Sequence, residues 1–379
     1  MKFTYFLIFI MLFAAYSAAG NNESCIECHT DESIMKSLVE IPDTYYKRYY
    51  IDKVILDKDP HFGGGCIPCH KGDRSSTDKE KAHKGVEKRP SADLKVCGDC
   101  HDDIAKTYQN SLHYTVQGLF NKVSRRLSQK EEKVFTEKVF GQSRRSHHAS
   151  CGDCHVSSPA VDGIRSGFLS GHKFVKKDEG KTCAVCHGGS IYPEYTGKYS
   201  GSPDVHFQKG MICTDCHKKG HLHGNGNAYA NKDEAKNSPK CKDCHKIGTE
   251  KKTTAKLAHS KHDGKVSCYG CHEEKASNSK DGFILGADPG NKKLLTTLRA
   301  IPISRETFLK AGIKMERFDE VPDYTSAPAH NIKKITGRTR SCDVCHVNKK
   351  GFLTKELLIK NGSKANESLI FKMGPLDIN

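Results

Sequence analysis

Cys213-Thr214-Asp215-Cys216-His217 lies inside the stretch DVHFQKGMICTDCHKKGHLHGNG, and its residue types and spacing suit one chemistry. Two thiols two residues apart can form thioethers with the two vinyl groups on one edge of a porphyrin. The histidine that follows is carried beneath the ring as an axial ligand. C-x-x-C-H is therefore the attachment pattern of a c-type haem. The pentapeptide occurs nine times, and its nine cysteine pairs use all eighteen cysteines, leaving none for a disulfide, a nucleophile or another metal. C-x-x-C pairs with nearby histidines also build zinc sites, but zinc gives no reason for a histidine directly after the second cysteine in every copy. A thioredoxin-like C-x-x-C is expected once per domain, not nine times. The expected cofactors are nine haem c groups. They would be attached through Cys25 and Cys28, Cys66 and Cys69, Cys97 and Cys100, Cys151 and Cys154, Cys183 and Cys186, Cys213 and Cys216, Cys241 and Cys244, Cys268 and Cys271, and Cys342 and Cys345. The proximal iron ligands are then His29, His70, His101, His155, His187, His217, His245, His272 and His346.

The remaining histidines decide between a carrier and an enzyme. Twenty-one less nine leaves twelve, which fall into nine groups: His61, His83, His113, His147 with His148, His172, His206, His221 with His223, His259 with His262, and His330. Nine groups for nine irons makes His61, His83, His113, His148, His172, His206, His223, His262 and His330 the distal candidates, with one member of each pair spare. Every motif after the first has a group on its N-terminal side, as His61 precedes Cys66 and His206 precedes Cys213. His113, in NSLHY, is then left to serve the first haem across space.

An iron held by two neutral imidazoles is low-spin and saturated; it moves one electron with little reorganisation and offers a substrate no place. The favoured function is electron transfer, with no catalytic residue. Two alternatives stay open. One iron with an open sixth position would make a haem-dependent oxidoreductase acting on a small nitrogen or sulfur compound. A subunit of a conductive filament would borrow a distal histidine from its neighbour.

These ligands must be positioned by a chain with little apolar material of its own. The hydrophobic fraction is 36%, there is no Trp, and there are 33 Gly. Residues 1–20 read as a removable export signal: Lys2 is followed by the apolar run Phe3 to Ala15 and the small residues Ala18 to Gly20. That leaves 359 of the 379 residues, about forty per haem, too few for nine ordinary cores. Haem burial is expected to replace side-chain packing, and folding to be coupled to attachment. No later segment has the length for a membrane span, so the mature chain is expected to be periplasmic or secreted.

The formal net charge of +16 would suit nucleic acid, but each ferric haem contributes about −1, which brings the total to about +7. Redox proteins, not nucleic acid, are the expected partners.

The fold class expected is mostly irregular with short α-helices around a haem stack and little or no β-structure. Residues 21–379 read as one nonahaem domain. It contains a haem-free helical segment at 102–142, where Leu119, Val123 and Leu127 have helical spacing. A second haem-free insert covers 273–340, with short helices expected at Leu294 to Leu298 and from Ser304 to Gly312. It reads as a packing cover, a docking surface or a pocket wall. A last helix is expected around Thr354 to Lys360.

The nine C-x-x-C-H sites, the DVHF…HGNG block, NSLHY and AHNIKKITGRTRSCDVCH together resemble the multihaem c-type cytochromes of anaerobic respiration. They are similar in particular to the superfamily of octahaem hydroxylamine oxidoreductase-like and nitrite reductase-like proteins. The resemblance implies electron traffic among membrane quinol-oxidising complexes, other cytochromes and terminal reductases. Members that reduce nitrite or tetrathionate commonly use a lysine-ligated haem in a C-x-x-C-K site, and this sequence has no such site.

Overall fold

The computed structural model describes residues 24–39, 45–141, 150–156, 181–198, 201–235, 238–274, 282–301 and 303–373. The export signal, His147, His148 and His172 lie outside the described residues. Short helices and irregular segments dominate, with one three-stranded sheet, as the sequence predicts. Among the described residues no helix is long and apolar enough to cross a membrane.

The C-x-x-C-H motif itself dictates much of this texture. The histidine N–H donates back to the carbonyl of the first cysteine, at 2.8 Å from His70 to Cys66 and 2.9 Å from His217 to Cys213 and from His346 to Cys342. Each closes one helical turn, which sets both thiols and the imidazole on one side. Caps start several of these turns: Ser267 accepts from the Gly270 N–H, and Ser150 forms a capping box with Asp153.

The chain divides into two compact units, Met1–Gln109 with Ala149–Thr182, and Asn110–His148 with Cys183–Asn379. In the first, the buried apolar side chains among the described residues are Met35, Tyr46, Leu56 and Tyr108.

The second unit has a conventional core, which corrects the expectation that side-chain packing is largely replaced. Helices Gln117–Ser124 and Gln129–Val134 and a π-helical turn Phe135–Phe140 bring Val123, Leu127, Phe135 and Phe140 against Ile313, Met315 and Phe318. The two haem-free segments thus pack on each other. Glu131 fixes the junction by accepting the Lys314 and Glu316 N–H groups at 2.7 and 3.1 Å. The fully buried Arg126 guanidinium donates to the Pro322 carbonyl at 2.5 Å and lies 3.4 Å from Asp323.

The sheet is built from β1 (Ile284–Ala287), β2 (Leu295–Ala300) and β3 (Tyr324–Ser326), antiparallel in the order β1-β2-β3. Leu285 pairs with Thr297, and Ala300 with Tyr324. The helix expected at Leu294 to Leu298 is therefore a strand. Its Leu-Thr-Thr-Leu pattern fits either period, but β2 is the central strand, buried from Leu295 to Leu298, and adjacent threonines favour the extended form. Arg305–Leu309 is helical, with Ser304 at its N-cap. The expected last helix is a single 3-10 turn, Lys355–Leu357, because Leu353 and Leu369 on either side are drawn into the core beneath β2.

Candidate functional site

Seven of the nine proximal imidazoles face a second imidazole at nearly constant separation. Ring centroids are 6.0 Å apart for His29 and His83, 6.1 Å for His101 and His61, 6.4 Å for His187 and His113, and 6.4 Å for His217 and His330. They are 6.0 Å apart for His245 and His206, 6.1 Å for His272 and His259, and 5.9 Å for His346 and His262. With metal–nitrogen bonds of about 2 Å and a nitrogen about 1.2 Å from its ring centre, two imidazoles on opposite sides of one metal have centroids about 6.3 Å apart. The donor set therefore fits an iron between each pair. Among the described residues no three His, Cys, Asp or Glu side chains converge as a zinc site requires.

The other ring nitrogen is occupied in a consistent way. Nδ1 lies 2.7 Å from the Tyr49 carbonyl in His29, 2.9 Å from the Glu87 carbonyl in His70 and 2.7 Å from the Lys79 carbonyl in His83. It lies 2.7 Å from the Ala258 carbonyl in His262 and 2.9 Å from the Lys333 carbonyl in His272. Carboxylates replace carbonyls at His61 (Asp59, 2.8 Å) and His206 (Asp204, 2.8 Å). All of these partners only accept, so Nδ1 carries the proton and Nε2 keeps the lone pair a metal needs. Burial lowers the pKa of His29, His113, His187 and His330 and pushes His217 down to about 4, keeping the imidazoles in the neutral, ligating form.

The attachment sites follow one another in sequence order within each unit. In the first, His29 lies near His70, Cys69 lies near Cys97 and Cys100, and the Cys97 and Cys151 thiols are within hydrogen-bonding reach. In the second, the same holds for His217 with His187, Cys216 with Cys244, Cys241 with Cys268, and Cys271 with Cys345.

The facing partners do not follow the order of groups and motifs along the chain. His61 precedes Cys66 but faces His101. His206 precedes Cys213 but faces His245. His113 faces His187, and it is His83 that faces His29. His259 and His262 each face a different proximal histidine, so that pair has no spare member. The physical reason is helical spacing: the two lie three residues apart in the Thr253–His262 helix, on one face. His223, the candidate chosen from its pair, stands at the C-terminal cap of the short Lys219–Leu222 helix. Its neighbour His221 stacks on His217 at 4.8 Å, with Nδ1 atoms 2.8 Å apart, and supports a ligand instead of facing one. The sequence carried no signal separating these roles. His70 and His155 are the two proximal residues not in this set of pairs, and His147, His148 and His172 are the candidates outside the described residues.

Residues 96–188 match the model of the family described as cytochrome c554 and c-prime. The match covers about a quarter of the chain and includes the motifs at Cys97, Cys151 and Cys183 together with His113. It supports a multihaem c-type cytochrome in electron transfer. No curated protein and no solved structure matches the chain.

Proposed function

We propose that this chain is an exported conductor of single electrons in anaerobic respiration, carrying nine covalent haems whose irons each have two histidine ligands. The observation that carries the reading is the set of seven imidazole pairs at 5.9 to 6.4 Å. His29, His101, His187, His217, His245, His272 and His346 would hold seven irons proximally, opposite His83, His61, His113, His330, His206, His259 and His262. His70 and His155 among the proximal residues, and His147, His148, His172 and His223 among the distal candidates, stand outside these seven pairs. A bound haem supplies a reversible one-electron change at its iron.

The protein's own part is to fix and space the sites. The C-x-x-C-H turns fix each imidazole beside its thiols, the Nδ1 acceptors set tautomer and ring orientation, and a second imidazole fills the position a substrate would need. The sequence-ordered runs of attachment sites, one in each unit, provide the spacing for conduction. The partners in this reading are redox proteins of the periplasm or cell exterior.

The test is mass spectrometry of the exported protein followed by carbon monoxide titration of the reduced form. Nine haems and no bound carbon monoxide are expected. One carbon monoxide per protein at native pH would turn the reading toward a reductase, and a protein lacking porphyrin would end it.

A further inference from the structure

The Thr253–His262 helix places Ala255, His259 and His262 on its half-buried face, while Leu257, on the opposite side, is 57% exposed. Lys256 and Lys261 flank that leucine and are exposed. Residues 240–265 hold eight lysines against three acidic residues, and the three acids are all engaged. Asp243 accepts the Lys240 N–H at 2.8 Å, Glu250 is 2.7 Å from His259 Nδ1, and Asp263 pairs with Lys242 at 2.5 Å. Lys246, Lys251, Lys252, Lys256 and Lys265 are exposed and make no ion pair among the described residues.

A lysine-rich stretch is ordinarily a solvated face. This one is placed against local stability. Lys251 and Lys252 stand at the positive end of the helix dipole, and Lys252 occupies the N-cap without a side-chain cap bond, where Ser, Thr, Asp or Asn would be favoured. An exposed leucine next to Lys256, on a helix led by Lys251 and Lys252, is what a transient interface needs: charge to steer the encounter and an apolar centre to hold it. The face lies one helix diameter, about 10 Å, from the imidazoles on the other side. One of them, His262, belongs to the motif at Cys342–His346, the last of the ordered run in its unit.

We propose that the outer face of the Thr253–His262 helix is the docking site for a small acidic electron-transfer protein, a deepening that rests on the reading above. Charge complementarity commits it to that occupant: a basic partner or a nucleic acid would leave the apolar centre unused or meet like charge.

The experiment measures association of the haem-loaded protein with a plant-type [2Fe–2S] ferredoxin, an acidic probe, as a function of salt. The triple substitution Lys251→Glu, Lys252→Glu, Lys256→Glu is expected to slow association roughly tenfold or more at low salt and to flatten its salt dependence. Leu257→Ser is expected to speed dissociation and leave association unchanged. The same reversal at Lys81, Lys84 and Lys88 is the control, and haem content and visible spectrum report folding. Unchanged association in the first variant, or an equal loss in the control, overturns the proposal. A protein that docks the probe but takes no electrons from dithionite would defeat the carrier reading and leave the docking site standing.

Discussion

One carboxylate oxygen of Asp204 accepts two hydrogen bonds from His206, from the backbone N–H at 2.7 Å and from ring Nδ1 at 2.8 Å. Its other oxygen accepts the Ile332 N–H at 2.6 Å, so a carboxylate only 2% exposed has a donor on each oxygen. Asp59 does the same for His61, at 2.8 Å to both nitrogens. Both sit in a D-x-H-F tetrapeptide, Asp59 to Phe62 and Asp204 to Phe207, at the start of a 3-10 turn. A carboxylate makes the imidazole a stronger donor than a carbonyl does, which favours ferric iron. In the proposed reading, His61 and His206 are thus ligands backed by a carboxylate, where His29, His83, His262 and His272 are backed by a carbonyl.

Asp204→Asn and Asp59→Asn are expected to raise the potential of the haems at Cys241–His245 and Cys97–His101. Removing such a partner typically costs 10- to 100-fold in metal affinity. If that falls on the ferric state, the shift is about 60 to 120 mV. Spectropotentiometric titration reads the change, with haem content as the folding check. A potential that stays put in both variants would show that these carboxylates only orient the rings.

His259→Ala and His262→Ala are each expected to open a different iron. The reduced single variants should bind one carbon monoxide per protein and the double variant two. His221→Ala should bind none, because His221 rests on His217 while His330 faces it. One carbon monoxide in the double variant would restore the idea that one member of the pair is spare.

Ring orientation differs among the pairs and should be visible in electron paramagnetic resonance of the oxidised protein. His217 and His330 are 17° from coplanar and His259 and His272 are 28°, whereas His187 and His113 are 86° apart. Near-parallel imidazoles split the iron orbitals strongly and give rhombic low-spin signals; near-perpendicular ones give a highly anisotropic signal. His113→Ala should remove the anisotropic component assigned to the haem at Cys183–His187 and leave the rhombic ones. Loss of a rhombic signal instead would mean His113 serves another iron.

Attachment was legible in the sequence because covalent capture needs contiguous residues: two thiols and a histidine must share one helical turn, so C-x-x-C-H declares itself. The opposing ligand obeys no such constraint. His61 reaches past the nearest motif to His101, His83 turns back to His29, and His330 arrives at His217 from far along the chain, because folding brings them there. The same limit explains the insert at 273–340. Leu295 and Leu298 are spaced for a helix, and only the position of β2 between two other strands makes them part of a sheet. The histidine groups can be counted in the sequence, but which imidazole faces which is a tertiary fact.

The side-chain core of the second unit should carry stability of its own. Arg126 and Asp323 are almost wholly buried, and Asp323 also accepts the Ser363 N–H at 2.6 Å and the Asn366 amide at 3.0 Å. Arg126→Met removes the only guanidinium beside this carboxylate among the described contacts, and breaking a buried pair from one side costs about 3–5 kcal/mol. Leu298→Ala, at a fully buried position, should cost about 2–5 kcal/mol through the lost contacts and the cavity left behind. Urea unfolding of the haem-loaded variants reads both, and Arg126→Met with Asp323→Asn should recover part of the first loss. Haem content should be unchanged in every variant, since none of these residues touches a ligand. Midpoints that do not move would return the burden of stability to the haems alone.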